Sequence, residues 1–123
     1  MDPSRLTTIP LFDGLPDEEL QRVATFAEER TVPNGQVLVR EGDFSDKLSF
    51  IQEGTVEVIR GGEPRAQLGP GDVFGEAGVL GRTMRNADVV STAPLRLFTL
   101  TRWDLKRTPR LAERLSAQAA ERA

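Results

Sequence analysis

Between Pro33 and Pro94 the chain is interrupted by glycine or proline every few residues, and this spacing limits what it can fold into more than any other feature. Breaks fall at Pro33-Asn34-Gly35, Gly42, Gly54, Gly61-Gly62, Gly69-Pro70-Gly71, Gly75, Gly78 and Ala93-Pro94. Most of the elements between them are of strand length. The intervening runs alternate as strands do. Gln36 to Arg40 carries Val37 and Val39 on one face, and Thr55 to Arg60 places Val56 and Val58 together with Glu57 opposite. Lys47 to Gln52, Arg65 to Leu68, Asn86 to Ser91 and Leu95 to Leu100 complete the strand-like set. Pro33-Asn34-Gly35 has the chemistry of a turn, and Gly61-Gly62 that of a tight hairpin. Six to eight short strands separated in this way predict an antiparallel barrel or roll rather than a parallel sheet.

Helical patterns flank that region. Leu6, Ile9, Leu11 and Phe12, interrupted by Pro10, predict a short turn docked on the core. A helix is expected from Pro16, with Asp17, Glu18 and Glu19 in its first turn, to near Glu29. Thr101 is placed to cap a helix over Arg102 to Arg107. Thr108-Pro109 predicts a second cap and first-turn proline for Arg110 to about Glu121, with Leu111, Leu115 and Ala119 on one stripe. The fold class is therefore mainly β with N-terminal and C-terminal helices, in a single domain over 1–123. Its β region is expected at about 30–101 and its C-terminal helices at about 102–122.

Composition narrows the function. The apolar fraction of 38% supports one core, and with six Phe, one Trp and no Tyr that core must be built mainly from Val, Leu and Ile. Histidine and cysteine are both absent, which removes the commonest general base, the commonest metal ligand and all thiolate chemistry. No nucleophile and base pair is visible, so no enzyme and no metal site is expected. The N-terminus has no basic segment followed by a long apolar run, and no stretch approaches membrane-span length, so a cytoplasmic location is expected. Net charge is −3, with +3 in the last 22 residues and −6 in the rest, which argues against nucleic acid as a partner. The basic end is expected to be a solvated helix face rather than a surface for an acidic partner.

The chemistry concentrates in Gly71 to Val90, GDVFGEAGVLGRTMRNADVV. Gly75, Ala77 and Gly78 add little bulk, so main-chain N–H groups can approach a ligand, and a short helix starting here would point its positive end at an anion. The guanidinium of Arg85 can donate two parallel hydrogen bonds to a phosphate, and Ala87 leaves room beside it. Glu76 would repel that phosphate unless it accepts from another part of the ligand, for which a ribose hydroxyl is suited. These roles describe a ribose phosphate.

The run Phe74-Gly75-Glu76, with Arg85 nine residues after Glu76 and Ala87 two further on, resembles the phosphate-binding cassette of cyclic nucleotide-binding domains. That family includes the catabolite activator protein, the protein kinase A regulatory subunit and cyclic-nucleotide-gated channels. Gly42, Gly54 and Gly71, with Asp43 and Asp72 following two of them, extend the resemblance over roughly residues 6 to 120. It implies an antiparallel β-roll, jelly-roll-like, of the double-stranded β-helix type. It also implies a cAMP or cGMP ligand with no further cofactor, bound by Gly75, Glu76, Ala77, Arg85, Asn86 and Ala87. Asn86, which both donates and accepts, leaves the choice of base open. Val58, Leu68 and Phe74 are candidates for an apolar wall, although plain core is the leading reading of each taken singly.

Bland readings stand beside these. Arg85 could pair with Asp88 on the surface, and Glu76 could simply decorate a helix N-terminus. Alternation places Asp88 outward if Ala87 faces in. The resemblance further implies an N-terminal helical element that moves on binding. In the sensor reading, Val79 and Leu80 are drawn inward and repack against Trp103 or Leu105, and the terminal helices offer contacts to a protein effector or a second copy. Two other readings stay open: a scaffold or interaction domain with a degenerate pocket, or the sensor portion of a longer transcriptional regulator.

Overall fold

The computed structural model describes residues 1–42, 47–75 and 87–122. Two four-stranded antiparallel sheets form a β-roll with helices at both ends of the chain, as expected. One sheet has the order β1-β8-β3-β6, built from Glu28–Val32, Leu95–Thr101, Lys47–Glu53 and Val73–Phe74. The other has the order β2-β7-β4-β5, built from Val37–Val39, Asp88–Ser91, Val56–Arg60 and Glu63–Leu68.

Turn chemistry fixes the connections. Arg60 pairs with Glu63 across Gly61-Gly62, and both glycines adopt positive φ, as a two-residue hairpin requires. The Pro33-Asn34-Gly35 turn is held by Ser91, which is almost fully buried. Its hydroxyl donates to the Pro33 carbonyl at 2.6 Å and accepts from the Gln36 N–H at 2.9 Å. Gly54 joins β3 to β4 at φ +92, where an added Cβ would lie 2.4 Å from the Pro94 carbonyl oxygen.

Strand β8 is buried on both faces from Leu97 to Leu100, which explains why Leu95 to Leu100 reads as nearly continuous apolar sequence. On the outer face of its sheet Leu48, Phe50, Val73, Phe98 and Leu100 join a core with residues of the terminal helices. On its inner face Ile51, Phe74, Leu95 and Leu97 meet Val56 and Val89 of the other sheet. Phe12 anchors the N-terminal segment to the outer core, 5.1 Å from the Phe50 ring, which in turn stacks on Phe98 at 4.8 Å.

The N-terminal segment forms two 3₁₀ turns, Pro3–Leu6 and Pro10–Phe12, and buries Leu6, Ile9 and Phe12. Helix α1 spans Asp17–Phe26. It stops three residues short of the expected end, because Ala27 turns extended and Glu28 begins β1, a strand that the sequence reading did not predict. Pro16 is the residue before the helix rather than its first member. Helix α2, Arg102–Lys106, opens on the expected cap: Thr101 and Asp104 bond each other's backbone N–H groups in a capping box. Helix α3 spans Pro109–Arg122, with Leu111 and Leu115 fully buried.

Candidate functional site

The candidate site begins where β6 ends. Its approach is tied to β3, since Gly71 N–H donates to the Ile51 carbonyl and Ile51 N–H donates to the Asp72 carbonyl, each at 2.9 Å. The Asp72 carboxylate closes the preceding turn by accepting from Gly69 N–H at 2.8 Å. These bonds fix Val73–Phe74 against Phe50 and Ser49. Phe74 is buried in the roll interior, and Gly75 follows at φ +93, a conformation that side chains with a Cβ rarely adopt.

The far end is held in the other sheet. Ala87 is only 6% exposed, and Asp88 then starts β7, pairing with Ile59. The Asp88 carboxylate accepts from the Glu41 N–H at 2.6 Å. It is therefore engaged by the β2 side of the roll while Ala87 faces in, the alternation expected of this strand. Between Gly75 and Ala87 the chain leaves one sheet and enters the other. Val58 and Leu68 are half-buried and pack against the roll interior that holds Phe74 and Val89. Val58 lies opposite Val89, and Leu68 lies opposite Val56.

Of the predicted site residues, the structure thus places Gly75, Ala87, Val58, Leu68 and Phe74 around the roll interior or at its margin. Glu76, Ala77, Arg85 and Asn86 lie outside the described residues, as do Asp43, Gly78, Val79 and Leu80. Of the two residues expected to receive the movement of Val79 and Leu80, Leu105 is buried and Trp103 is 60% exposed with the Lys106 ammonium 4.2 Å from its ring. Among the described residues no group of acids, histidines or cysteines could hold a metal, and no helix is long and apolar enough to cross a membrane.

Sequence reasoning missed one polar connection. Glu19 of α1 is 6% exposed, and its carboxylate accepts from the N–H groups of Arg110 at 3.2 Å and Leu111 at 3.4 Å, in the first turn of α3. Thr108, expected to cap this helix through its hydroxyl, instead turns that hydroxyl back to the Asp104 carbonyl at 3.2 Å. A signal was present in the pattern: Glu19 sits one helical turn before Val23, on the stripe that faces the core.

A roll of two four-stranded sheets, joined through a glycine-led segment and flanked by helices, is the architecture of a cyclic nucleotide-binding domain. The sequence profile of that family, described as the cyclic nucleotide-binding domain, matches residues 29–108, and the chain belongs to it. The chain is 34% identical over 122 residues to the cyclic AMP receptor protein of Thermus thermophilus, covering 92% of this chain and 56% of that one. The crystal structure of Thermus thermophilus catabolite activator protein superposes with a TM-score of 0.82 at 34% identity, over 92% of this chain and 57% of that one. The regulatory domain of Toxoplasma gondii PKA, crystallised with cAMP, gives 0.88 at 25% identity, over 97% of this chain and 48% of that one. The regulatory subunit of a cAMP-independent protein kinase A from Trypanosoma brucei gives 0.85 at 25% identity, over 96% of this chain and 43% of that one. The chain thus spans little more than half the length of the first of these relatives, and less than half of the other two.

Proposed function

We propose that this chain is a cyclic nucleotide sensor that changes the packing of its terminal helices when cAMP or cGMP binds. Arg85 and the main-chain N–H groups at Gly75 and Ala77 neutralise the cyclic phosphate, and Glu76 accepts from the ribose hydroxyl. Asn86 and Ala87 flank the phosphate, and Val58, Leu68 and Phe74 wall the ribose and base. Residues 1–123 act as one sensing domain in the cytoplasm without catalysis of their own, and the terminal helices pass the signal to a protein effector or a second copy. The observation that carries this reading is the family match over residues 29–108, a range that contains every proposed ligand contact. The relatives named for cyclic AMP or crystallised with it make cAMP the first ligand to test.

Calorimetric titration with cAMP and cGMP tests it. The wild-type chain is expected to bind at least one of them, and Arg85→Ala is expected to weaken that binding by at least about 2 kcal/mol, roughly thirtyfold. Equal heats from wild type and variant would refute the phosphate role.

A second reading is a domain that keeps the roll without the ligand. The likeness to a kinase regulatory subunit described as cAMP-independent favours it. Thermal unfolding separates the two, because a ligand that binds the folded state alone must raise Tm. No rise with either nucleotide, at concentrations far above micromolar, would favour the scaffold reading.

A further inference from the structure

The terminal helices of this fold meet through polar contacts as well as apolar ones. The first N–H groups of any helix lack partners inside it, and Pro109 at the start of α3 has no N–H to offer. The next two, at Arg110 and Leu111, both donate to the buried Glu19 carboxylate from a helix more than ninety residues away in sequence. Nearby, Arg22 of α1 donates to the Arg107 carbonyl, which terminates α2, at 3.1 Å. Arg114 of α3 reaches the other way and donates to the Leu11 carbonyl at 3.0 Å and to that of Asp13. Leu111 and Leu115 meet residues of the same N-terminal segment in the outer core. On the side toward the β6 approach there is instead a cleft of about 380 Å³, lined by Pro10, Leu11, Asp72, Val73, Arg114 and Gln118.

We propose that Glu19 is a positioning residue that latches α1 to the first turn of α3, so that the N-terminal segment and the final helix move as one body relative to the roll. Its carboxylate supplies the cap that Thr108 does not. A lone capping side chain contributes modestly to stability, but one that is buried and bridges two elements also sets their relative placement. Under this arrangement a displacement of either helix carries the other. The consequence for signalling rests on the sensor reading above; the latch itself does not.

Amide hydrogen exchange on the full chain tests both. In the ligand-free wild type, the first-turn amides of α3 and the amides of α1 around Val23 and Ala24 are expected to open together, at a common rate. Glu19→Ala should speed exchange at Arg110 and Leu111 about tenfold and separate them from α1, while Phe98 in the roll stays protected. Glu19→Gln keeps an acceptor oxygen of the same reach and should restore most of the protection. Unchanged exchange at Arg110 and Leu111 in Glu19→Ala would overturn the latch. So would equal acceleration at Phe98, which would mark general destabilisation. On adding saturating cAMP, α1 and α3 of the wild type should respond with one midpoint, and in Glu19→Ala with two. If neither cAMP nor cGMP changes anything in the wild type, the sensor reading fails while the ligand-free comparison still decides the latch.

Discussion

A few residues carry constraints that no neighbour can take over. Gly54 is the sharpest case: its φ of +92 and the 2.4 Å approach to a backbone oxygen leave no room for even a methyl group. Gly54→Ala should lower stability by more than the roughly 1 kcal/mol that positive φ alone costs a residue with a Cβ, because the Pro94 carbonyl must shift as well. Gly61→Ala, where nothing lies within 4 Å, is the control and should show only the conformational cost. Denaturant unfolding of the two variants reads the difference. Gly75 shares the positive φ of Gly54, and its place at the end of β6 puts it at the start of the proposed ligand segment rather than in the turn between β3 and β4. Single residues were legible in the sequence where their chemistry is local. Gly61-Gly62 and the Thr101 cap needed only their own neighbours to be read. The place of Glu19 on the core-facing stripe of α1 was legible but its partners were not, since the N–H groups that it satisfies belong to Arg110 and Leu111 and only the tertiary fold brings them together.

At the scale of elements, the strands that were easy to read are those with apolar residues at strand spacing or in a dense run. β4 places Val56 and Val58 two residues apart, and the apolar residues of β8 are interrupted only by Arg96 and Thr99. β1 escaped because four of its five residues, Glu28 to Thr31, are exposed, so no periodic pattern marks it. It exists because β8 is long enough to template a partner from Leu95 through Thr99. One buried hydroxyl adds to the backbone pairing of β2 and β7. Ser91→Ala removes the donor to the Pro33 carbonyl and the acceptor for the Gln36 N–H, and should cost about 1–3 kcal/mol by stranding both partners. Thermal unfolding of the variant measures this. Loss of less than a few tenths of a kcal/mol would show that the turn is held by the backbone bonds from Gly35 and Ser91 alone.

At the scale of the whole molecule, the division of the core explains how a binding event could reach the helices. β6 contributes Phe74 to the roll interior and Val73 to the outer core shared with the terminal helices, so two consecutive residues touch both. Both lie next to the segment that the sequence marks as the phosphate cradle. A ligand can shift helix packing only by its differential affinity for the two arrangements, and a strand anchored in both cores is where such a difference would be felt. The architecture was legible from glycine spacing, while the division of the core was not, because it depends on which face of one sheet the helices cover. The central claim is that the chain between Gly75 and Ala87 holds a cyclic phosphodiester. Backbone amide resonances followed during a cAMP titration test it most directly. The Gly75 and Ala87 signals are expected to shift saturably, with the Kd found by calorimetry and with a midpoint at least about thirtyfold higher in Arg85→Ala. Saturable shifts confined to other parts of the fold, or none at all with either cAMP or cGMP, would contradict it.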